Sequence, residues 1–162
     1  MTSKKTAIYG LLIALAFIFS YVEFLIPNPF MPGMKLGLAN IVVLTALYSL
    51  GSKEALILSV VRIVLVGFTF SNMFTMIYSL AGGILSCLIM ILCKKSKLFS
   101  IIGTSIMGGV FHNIGQIIIA IIVVENIRIA YYLPMLLISG AVTGLVIGIL
   151  GSEITKRLGA RV

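Results

Sequence analysis

One basic residue, Arg62, stands in the middle of an apolar stretch at residues 54–70, about eight residues from either end. An arginine at the centre of a membrane-spanning helix costs on the order of 2.5–3.5 kcal/mol on insertion scales, so something must compensate its charge. Glu23 is the acidic residue expected at a comparable depth. Two interpretations stay open: a structural pair between Arg62 and Glu23, or an arginine that faces an anionic ligand.

A second polar group lies further along the chain, where His112, Asn113 and Gln116 interrupt a long apolar segment. His112 and Gln116 are four residues apart and therefore share a helix face. Side chains of this kind are not expected to face lipid, so they either hold helices together or line a polar pocket. His112 has no second histidine, aspartate or cysteine pair beside it that would indicate a metal site.

Lys35 and Asn40 lie near the start of the second apolar segment. Arg62 and His112 are expected near the middle of the membrane, and the polar set converges on the outer side. The residues expected in the outer half are Glu23, Lys35, Asn40, Asn72 and Gln116. Such a set of cationic and amide groups predicts a pocket for an anionic or amphipathic small molecule. The predicted substrate-binding residues are Glu23, Lys35, Asn40, Arg62, His112, Asn113 and Gln116.

Motifs for several enzyme classes are missing from the sequence. The chain contains no aspartate, so it lacks the clustered carboxylates that hold magnesium on a prenyl diphosphate. It has no phosphate-binding loop for ATP and no nucleophile elbow. We therefore expect a protein that is not an enzyme by itself and that uses no metal or other cofactor.

The elements that must position these residues are apolar helices. Of the 162 residues, 60% are hydrophobic and 10% are charged, whereas soluble domains are about one-quarter charged. Because about 20 apolar residues cross a bilayer as a helix, the sequence predicts an all-α, polytopic bundle of six transmembrane helices. This bundle forms a single integral membrane domain over residues 1–162. The predicted helices are 6–26, 36–50, 54–70, 72–93, 101–124 and 132–155, and the second is short.

Basic residues predict the orientation, because Lys and Arg accumulate in cytoplasmic loops. In the six-helix arrangement only Lys35 and Arg128 fall on the outer side. Both termini are thus expected in the cytoplasm of a multi-pass cell-membrane protein. The loop positions also argue against a nucleic-acid-binding surface. The cytoplasmic set is Lys4, Lys5, Lys53, Lys94, Lys95, Lys97, Lys156, Arg157 and Arg161.

Small residues recur every four positions in two segments. Gly140, Gly144 and Gly148 repeat in the last segment, and Gly10 with Ala14 forms a similar pair in the first. This spacing lets helices approach closely. Two interpretations stay open: the stripes serve packing inside the chain, or one of them, with Gly10 and Ala14 as the candidate, docks to a partner membrane protein.

Several stretches resemble the family known as Gx transporters or heptaprenyl diphosphate synthase component I. They are PGMKLGLAN at 32–40, LAGG at 80–83, GTSI at 103–106, HNIGQ at 112–116 and YLP at 132–134. That family is similar to the substrate-binding S components of energy-coupling factor (ECF) transporters. The resemblance implies a six-helix protein that captures a small molecule outside and works with a transmembrane scaffold subunit and two ATPase subunits. Gly10 and Ala14 would then replace the docking Ala-x-x-x-Ala pattern.

The two family names imply different functions. The missing aspartate and the outward polar groups favour uptake of a substrate, and the resemblance suggests a flavin, a quinone precursor or another vitamin-like compound. The alternative is a noncatalytic membrane subunit that anchors a soluble heptaprenyl diphosphate synthase.

Overall fold

A computed structural model describes residues 3–25 and 37–157 of the chain. Within these ranges the protein is all-α, as the sequence predicts, with six α-helices and one short 3-10 helix. The 3-10 helix, Ile127–Tyr132, was not predicted and leads into the last helix. The α-helices are α1 Ser3–Leu25, α2 Leu38–Ser49, α3 Ser52–Phe70, α4 Met73–Ser96, α5 Ile101–Val124 and α6 Leu133–Arg157.

Local sequence signals explain where several helices begin and end. The side chain of Asn72 accepts a hydrogen bond from the backbone N–H of Thr75 at 2.8 Å and caps α4. Ser100 caps α5 in the same way, accepting from Gly103 N–H at 3.1 Å. Such caps satisfy N–H groups that have no partner inside the helix. Gly51, with a φ of 132°, permits the tight connection between α2 and α3.

Helix α2 is the buried centre of the bundle. It packs against α1, α3 and α6, while the other helices continue the ring from α3 through α4 and α5 to α6. Residues 41–47 of α2 are all buried, and the side chains of Leu44 and Leu47 are fully enclosed. With 12 residues at 1.5 Å per residue, α2 is only about 18 Å long. The described helix is therefore shorter than the hydrocarbon layer, whose thickness is about 30 Å.

Four helices of the described chain are long and apolar enough to cross a membrane: α1, α4, α5 and α6. Helix α3 has 19 residues, but Lys53, Glu54 and Arg62 reduce its apolar character. Large apolar side chains such as Leu11, Leu92 and Ile138 are exposed on the outer surface. Contiguous apolar patches larger than a few hundred Å² are rare on soluble monomers. These features describe a multi-pass membrane protein whose helices contact lipid.

Glycines bring the backbones of α5 and α6 into direct contact. A Cβ atom at Gly140 would lie 2.7 Å from the carbonyl oxygen of Gly109, and one at Gly144 would lie 2.7 Å from that of Ser105. A Cβ at Gly148 would similarly meet the backbone of Ile102 at 2.9 Å. The stripe on the last helix thus serves packing inside the chain, one of the two interpretations left open by the sequence.

Basic side chains gather at one end of the bundle. Lys53 lies in the first turn of α3, whereas Lys94 and Lys95 lie in the last turn of α4. Lys156 and Arg157 lie in the last turn of α6. Because α3 runs opposite to α4 and α6 along the ring, these residues define a basic end. The other end, where α1 and α3 finish and α4 begins, is called the cavity end below.

Candidate functional site

A cavity with a volume of about 530 Å³ lies between α1, α3 and α4. This volume is within the range of sites for small molecules, about 300–1,000 Å³. Helix α3 contributes one continuous stripe, at residues 62, 63, 66, 67 and 70. Helix α4 contributes Thr75, Met76 and Ser79, and α1 contributes Ser20, Glu23 and Phe24. We refer to this space as the main cavity.

Among the described residues that line the main cavity, Arg62 is the only cation. Its side chain is only 8% exposed. One terminal nitrogen, Nη2, donates a hydrogen bond to Oδ1 of Asn40 at 3.3 Å. The Nε atom is buried and has no hydrogen-bond partner among the described residues. A buried guanidinium whose donors are not all used is suited to bind an anion, because charge-assisted hydrogen bonds to carboxylate or phosphate are strong.

Glu23 lines the main cavity from α1 and also forms hydrogen bonds with the start of α2. Its Oε1 atom accepts hydrogen bonds from the backbone N–H of Gly37 and from that of Leu38, the latter at 3.2 Å. A carboxylate at the N-terminus of a helix is stabilised by the exposed N–H groups and by the helix dipole. Glu23 and Arg62 therefore line the same cavity. Both also form hydrogen bonds with the start of α2.

Aromatic rings form the part of the main cavity nearest the cavity end. Phe70 packs against Phe24 with ring centroids 5.9 Å apart, and both residues line the cavity. Phe17 and Tyr21 extend this cluster along α1, with centroids 4.9 Å and 5.3 Å from that of Phe70. Phe24 is 60% exposed. The aromatic wall offers a flat apolar surface that a ligand ring can contact.

Three hydroxyl-bearing residues of the main cavity were not singled out from the sequence: Ser20, Thr75 and Ser79. Asn72, which also lines the cavity, belongs to the polar set of the outer half. The spacing on α4 contains a weak signal, because Asn72, Thr75 and Ser79 recur on one face of this helix. That signal is ambiguous since serine and threonine in apolar helices often bond to their own backbone. Ser20 does so, donating to the carbonyl oxygen of Ala16 at 2.8 Å.

Asn40, His112 and Asn113 line a second, much smaller cavity of about 30 Å³ between α2, α4, α5 and α6. Ser86 and Ser105 contribute hydroxyl groups to it. This volume is enough for about one water molecule. Asn113 also donates from Nδ2 to the carbonyl oxygen of Leu136 at 2.6 Å, which joins α5 to α6. Its position therefore combines both roles considered from the sequence, helix–helix contact and pocket lining.

The remaining predicted residues lie elsewhere. Gln116 packs where α5 crosses α4: a Cβ atom at Gly82 would lie 2.9 Å from its Cγ atom. It does not line either of these two cavities. Lys35 lies outside the described residues. The predicted set is thus divided, with Glu23 and Arg62 at the main cavity, His112 and Asn113 at the small one, and Asn40 linking the two through its hydrogen bond to Arg62.

Gly10 and Ala14 lie on the exposed face of α1. A Cβ atom at Gly10 would meet no atom within 4 Å. The close packing that characterises the glycines of α6 is therefore not found around Gly10 within the described structure.

Comparison with known families gives one result that covers most of the chain. A family profile described as heptaprenyl diphosphate synthase component I matches residues 12–154, from α1 to α6. Comparison with curated proteins and with solved structures gives no match.

Proposed function

The chain belongs to the heptaprenyl diphosphate synthase component I family, and from this premise we propose that it is the noncatalytic, substrate-binding membrane subunit of an ATP-driven importer. The proposed substrate is an anionic or amphipathic small molecule, such as a flavin, a quinone precursor or another vitamin-like compound. The proposed partners are a transmembrane scaffold subunit and ATPase subunits, as in ECF transporters.

The observation that carries this proposal is the position of Arg62 in the main cavity. The cavity reaches from the cavity end to the middle of α3, and its buried cation keeps an unused donor. Burying a charge is costly unless it is paired. Glu23 interacts electrostatically with Arg62. A bound anion would in addition use the free Nε donor and would explain why an arginine is kept at this depth.

The proposed topology has six crossings, with both termini in the cytoplasm and the main cavity reached from outside. The basic end would then face the cytoplasm, in agreement with the positive-inside rule. Helix α2 is too short to span a bilayer of ordinary thickness by itself. As the buried centre of the bundle it would cross within a sheath of other helices rather than in contact with lipid.

The exposed face of α1 is the proposed contact with the scaffold subunit. Gly10 and Ala14 leave a shallow, apolar surface there that a partner helix can approach closely. The position of α1 also suits this role. In the described structure its extensive contacts are with α2 and α3, so another face remains available to a partner.

Purification from the native membrane in mild detergent tests the proposal. Native mass spectrometry should find a small anionic molecule bound to this chain, together with a membrane scaffold and an ATPase pair. A Gly10→Leu variant should lose the scaffold but keep the small molecule. The proposal would be wrong if the chain carried no ligand and copurified with neither scaffold nor ATPases.

The family description favours one alternative, a noncatalytic membrane subunit of a heptaprenyl diphosphate synthase. The same purification distinguishes it, since a soluble prenyl synthase with aspartate-rich motifs would then copurify. In that case Arg62→Gln should lower the yield of long-chain prenyl diphosphate, and uptake of vitamin-like compounds should be unaffected.

A further inference from the structure

The side chains of the main cavity change in character with depth. Its floor is formed by three buried polar side chains, Ser20, Arg62 and Ser79, which lie well inside α1, α3 and α4. Its rim contains Phe24 and Phe70, close to the ends of α1 and α3. The cavity therefore has a polar floor and an aromatic rim.

The space between floor and rim is lined mainly by apolar side chains, beside Glu23 of α1 and Thr75 of α4. Ile63 and Val66 line it from α3, and Met76 lines it from α4. Gly67 and Met76 are in close contact, because a Cβ atom at Gly67 would lie 2.6 Å from the sulfur of Met76. The ligand segment that passes along α3 here meets hydrocarbon and thioether groups, and the hydroxyl of Thr75 is the added donor on the α4 side.

The length of the cavity follows from the helix. Arg62 and Phe70 are eight residues apart on α3, which at 1.5 Å per residue is about 12 Å along the axis. A ligand that contacts both residues must carry its charged group and its ring at a comparable separation. Small aromatic acids, in which the acid is attached directly to the ring, are too short to do so.

The charge of the floor limits the charge of the ligand. Arg62 is the single cation among the described residues that line the main cavity, and Glu23 adds a negative charge to the same wall. One guanidinium can pair with one carboxylate in a bidentate manner. A diphosphate would bring two or more negative charges to this one cation. Part of the negative charge of the diphosphate would then be buried without compensation.

From this arrangement we infer that the main cavity binds an elongated amphipathic monoanion, with its acidic group on Arg62 at the floor and an aromatic ring between Phe24 and Phe70 at the rim. This inference rests on the proposed function and adds to it the orientation of the ligand, its length and its charge. The acid enters first, and the ring closes the cavity behind it.

Equilibrium binding to the full chain in nanodiscs tests the inference, with empty nanodiscs as background. The probes are 6-(2-naphthyl)hexanoate, its uncharged amide, 2-naphthoate and geranyl diphosphate. The native protein should bind the hexanoate at least tenfold more tightly than each of the others. The amide lacks the charge, the naphthoate lacks the length, and the diphosphate carries excess charge.

Three variants separate the two ends of the ligand. Arg62→Gln should reduce the affinity for the hexanoate to that for the amide. Phe70→Leu should lower the affinities for the hexanoate and for the amide by the same factor, about three- to tenfold. The variant removes a ring contact and leaves the contact with the charged group in place. Phe68→Leu is the matched control on α3, since Phe68 is 81% exposed and does not line the cavity. It should change neither affinity.

A fourth variant keeps the test valid if Arg62→Gln fails to fold. Asn40→Asp places a carboxylate next to Arg62 and should compete with the acid of the probe, so that binding of the hexanoate falls at least tenfold. Both variants are compared with the native protein by size-exclusion profile before binding is measured.

The outcomes separate the inference from the proposed function. If 2-naphthoate or geranyl diphosphate binds as tightly as the hexanoate and still depends on Arg62, the inferred ligand shape is wrong and the proposed anion-binding function stands. If no acid shows binding that depends on Arg62 or Asn40, both are wrong. Equal weakening of acid and amide by Arg62→Gln would contradict the inferred orientation.

Discussion

The guanidinium of Arg62 donates from Nη2 to Oδ1 of Asn40 at 3.3 Å, and this hydrogen bond joins the middle of α3 to the first turn of α2. Both residues face cavities, Arg62 the large one and Asn40 the small one. The bond gives the buried guanidinium a neutral acceptor, while the carboxylate of Glu23 interacts with its charge electrostatically. The start of α2 is therefore held by two residues of the main cavity, Arg62 and Glu23.

Asn40→Ala should destabilise the protein by about 1–3 kcal/mol, because the buried guanidinium loses a hydrogen bond. Thermal unfolding in detergent, followed by size-exclusion chromatography, measures this change. Asn40→Asp is the matched variant, since it keeps an acceptor for Arg62 and should unfold closer to the native protein. Equal loss in both variants would show that the amide itself, and not the bond to Arg62, is required.

Gly144→Ala should destabilise the bundle by about 1–3 kcal/mol, the usual cost of overpacking. The added Cβ would meet the backbone of Ser105 at 2.7 Å and that of Ile106 at 2.8 Å, and backbone atoms cannot rotate away. Gly10→Ala is the control, because its Cβ would lie in open space and alanine is the better helix former. The midpoint of thermal unfolding should fall for the first variant and not for the second.

Lys94→Met should lower the unfolding free energy by about 1 kcal/mol. Lys94 Nζ donates to the carbonyl oxygen of Leu47 at 2.6 Å and lies 5.0 Å from the centre of the Tyr48 ring. A cation at this position satisfies a carbonyl in the last turn of α2 and interacts with the helix dipole. Lys95→Met, at an exposed neighbouring position, should leave stability unchanged. If both variants lowered stability equally, the loss would come from the positive charge at this helix end in general and not from the contacts of Lys94.

The orientation of the protein can be measured with two engineered cysteines. Leu98 lies between α4 and α5 at the basic end and is 84% exposed, whereas Tyr131 precedes α6 at the other end and is 85% exposed. In intact cells a membrane-impermeant maleimide should label Tyr131→Cys and should label Leu98→Cys only after permeabilisation. The native cysteines, Cys87 and Cys93, are buried and provide little background. The reverse pattern would overturn the proposed topology.

The all-α class could be predicted from the sequence because apolar segments of membrane-spanning length leave few other structures. Arg62 stood out for the same reason, since a charge in such a segment needs an explanation. The length of each span could not be derived so directly: six crossings are predicted, and four of the described helices are long and apolar enough to cross a membrane. Helix α2 has only 12 residues and is enclosed by the other helices, and this enclosure depends on how the helices pack.

The division of the polar residues into two cavities could not be predicted either. Their depth in the membrane follows from their position in each segment, but the face that each one presents depends on helix rotation. His112 and Asn113 line the small cavity between α2, α4, α5 and α6, whereas the floor of the main cavity is completed by Ser20 and Ser79. Serines in apolar helices are common and often bond to their own backbone, as Ser20 does, so nothing in the sequence separates these two from the other serines.

The contact between α5 and α6 has a consequence for how α6 tolerates amino-acid change. On one face, positions 140, 144 and 148 admit no side chain at all without displacing backbone atoms. On the other, Ile138, Val142, Leu145 and Ile149 are exposed, and any apolar residue should serve there. Random mutagenesis of α6 should therefore yield functional clones with almost unrestricted apolar variation on one side and glycine alone on the other. A single-residue insertion near position 142 would rotate the part of α6 that follows it relative to α5, and we expect that such a variant does not fold.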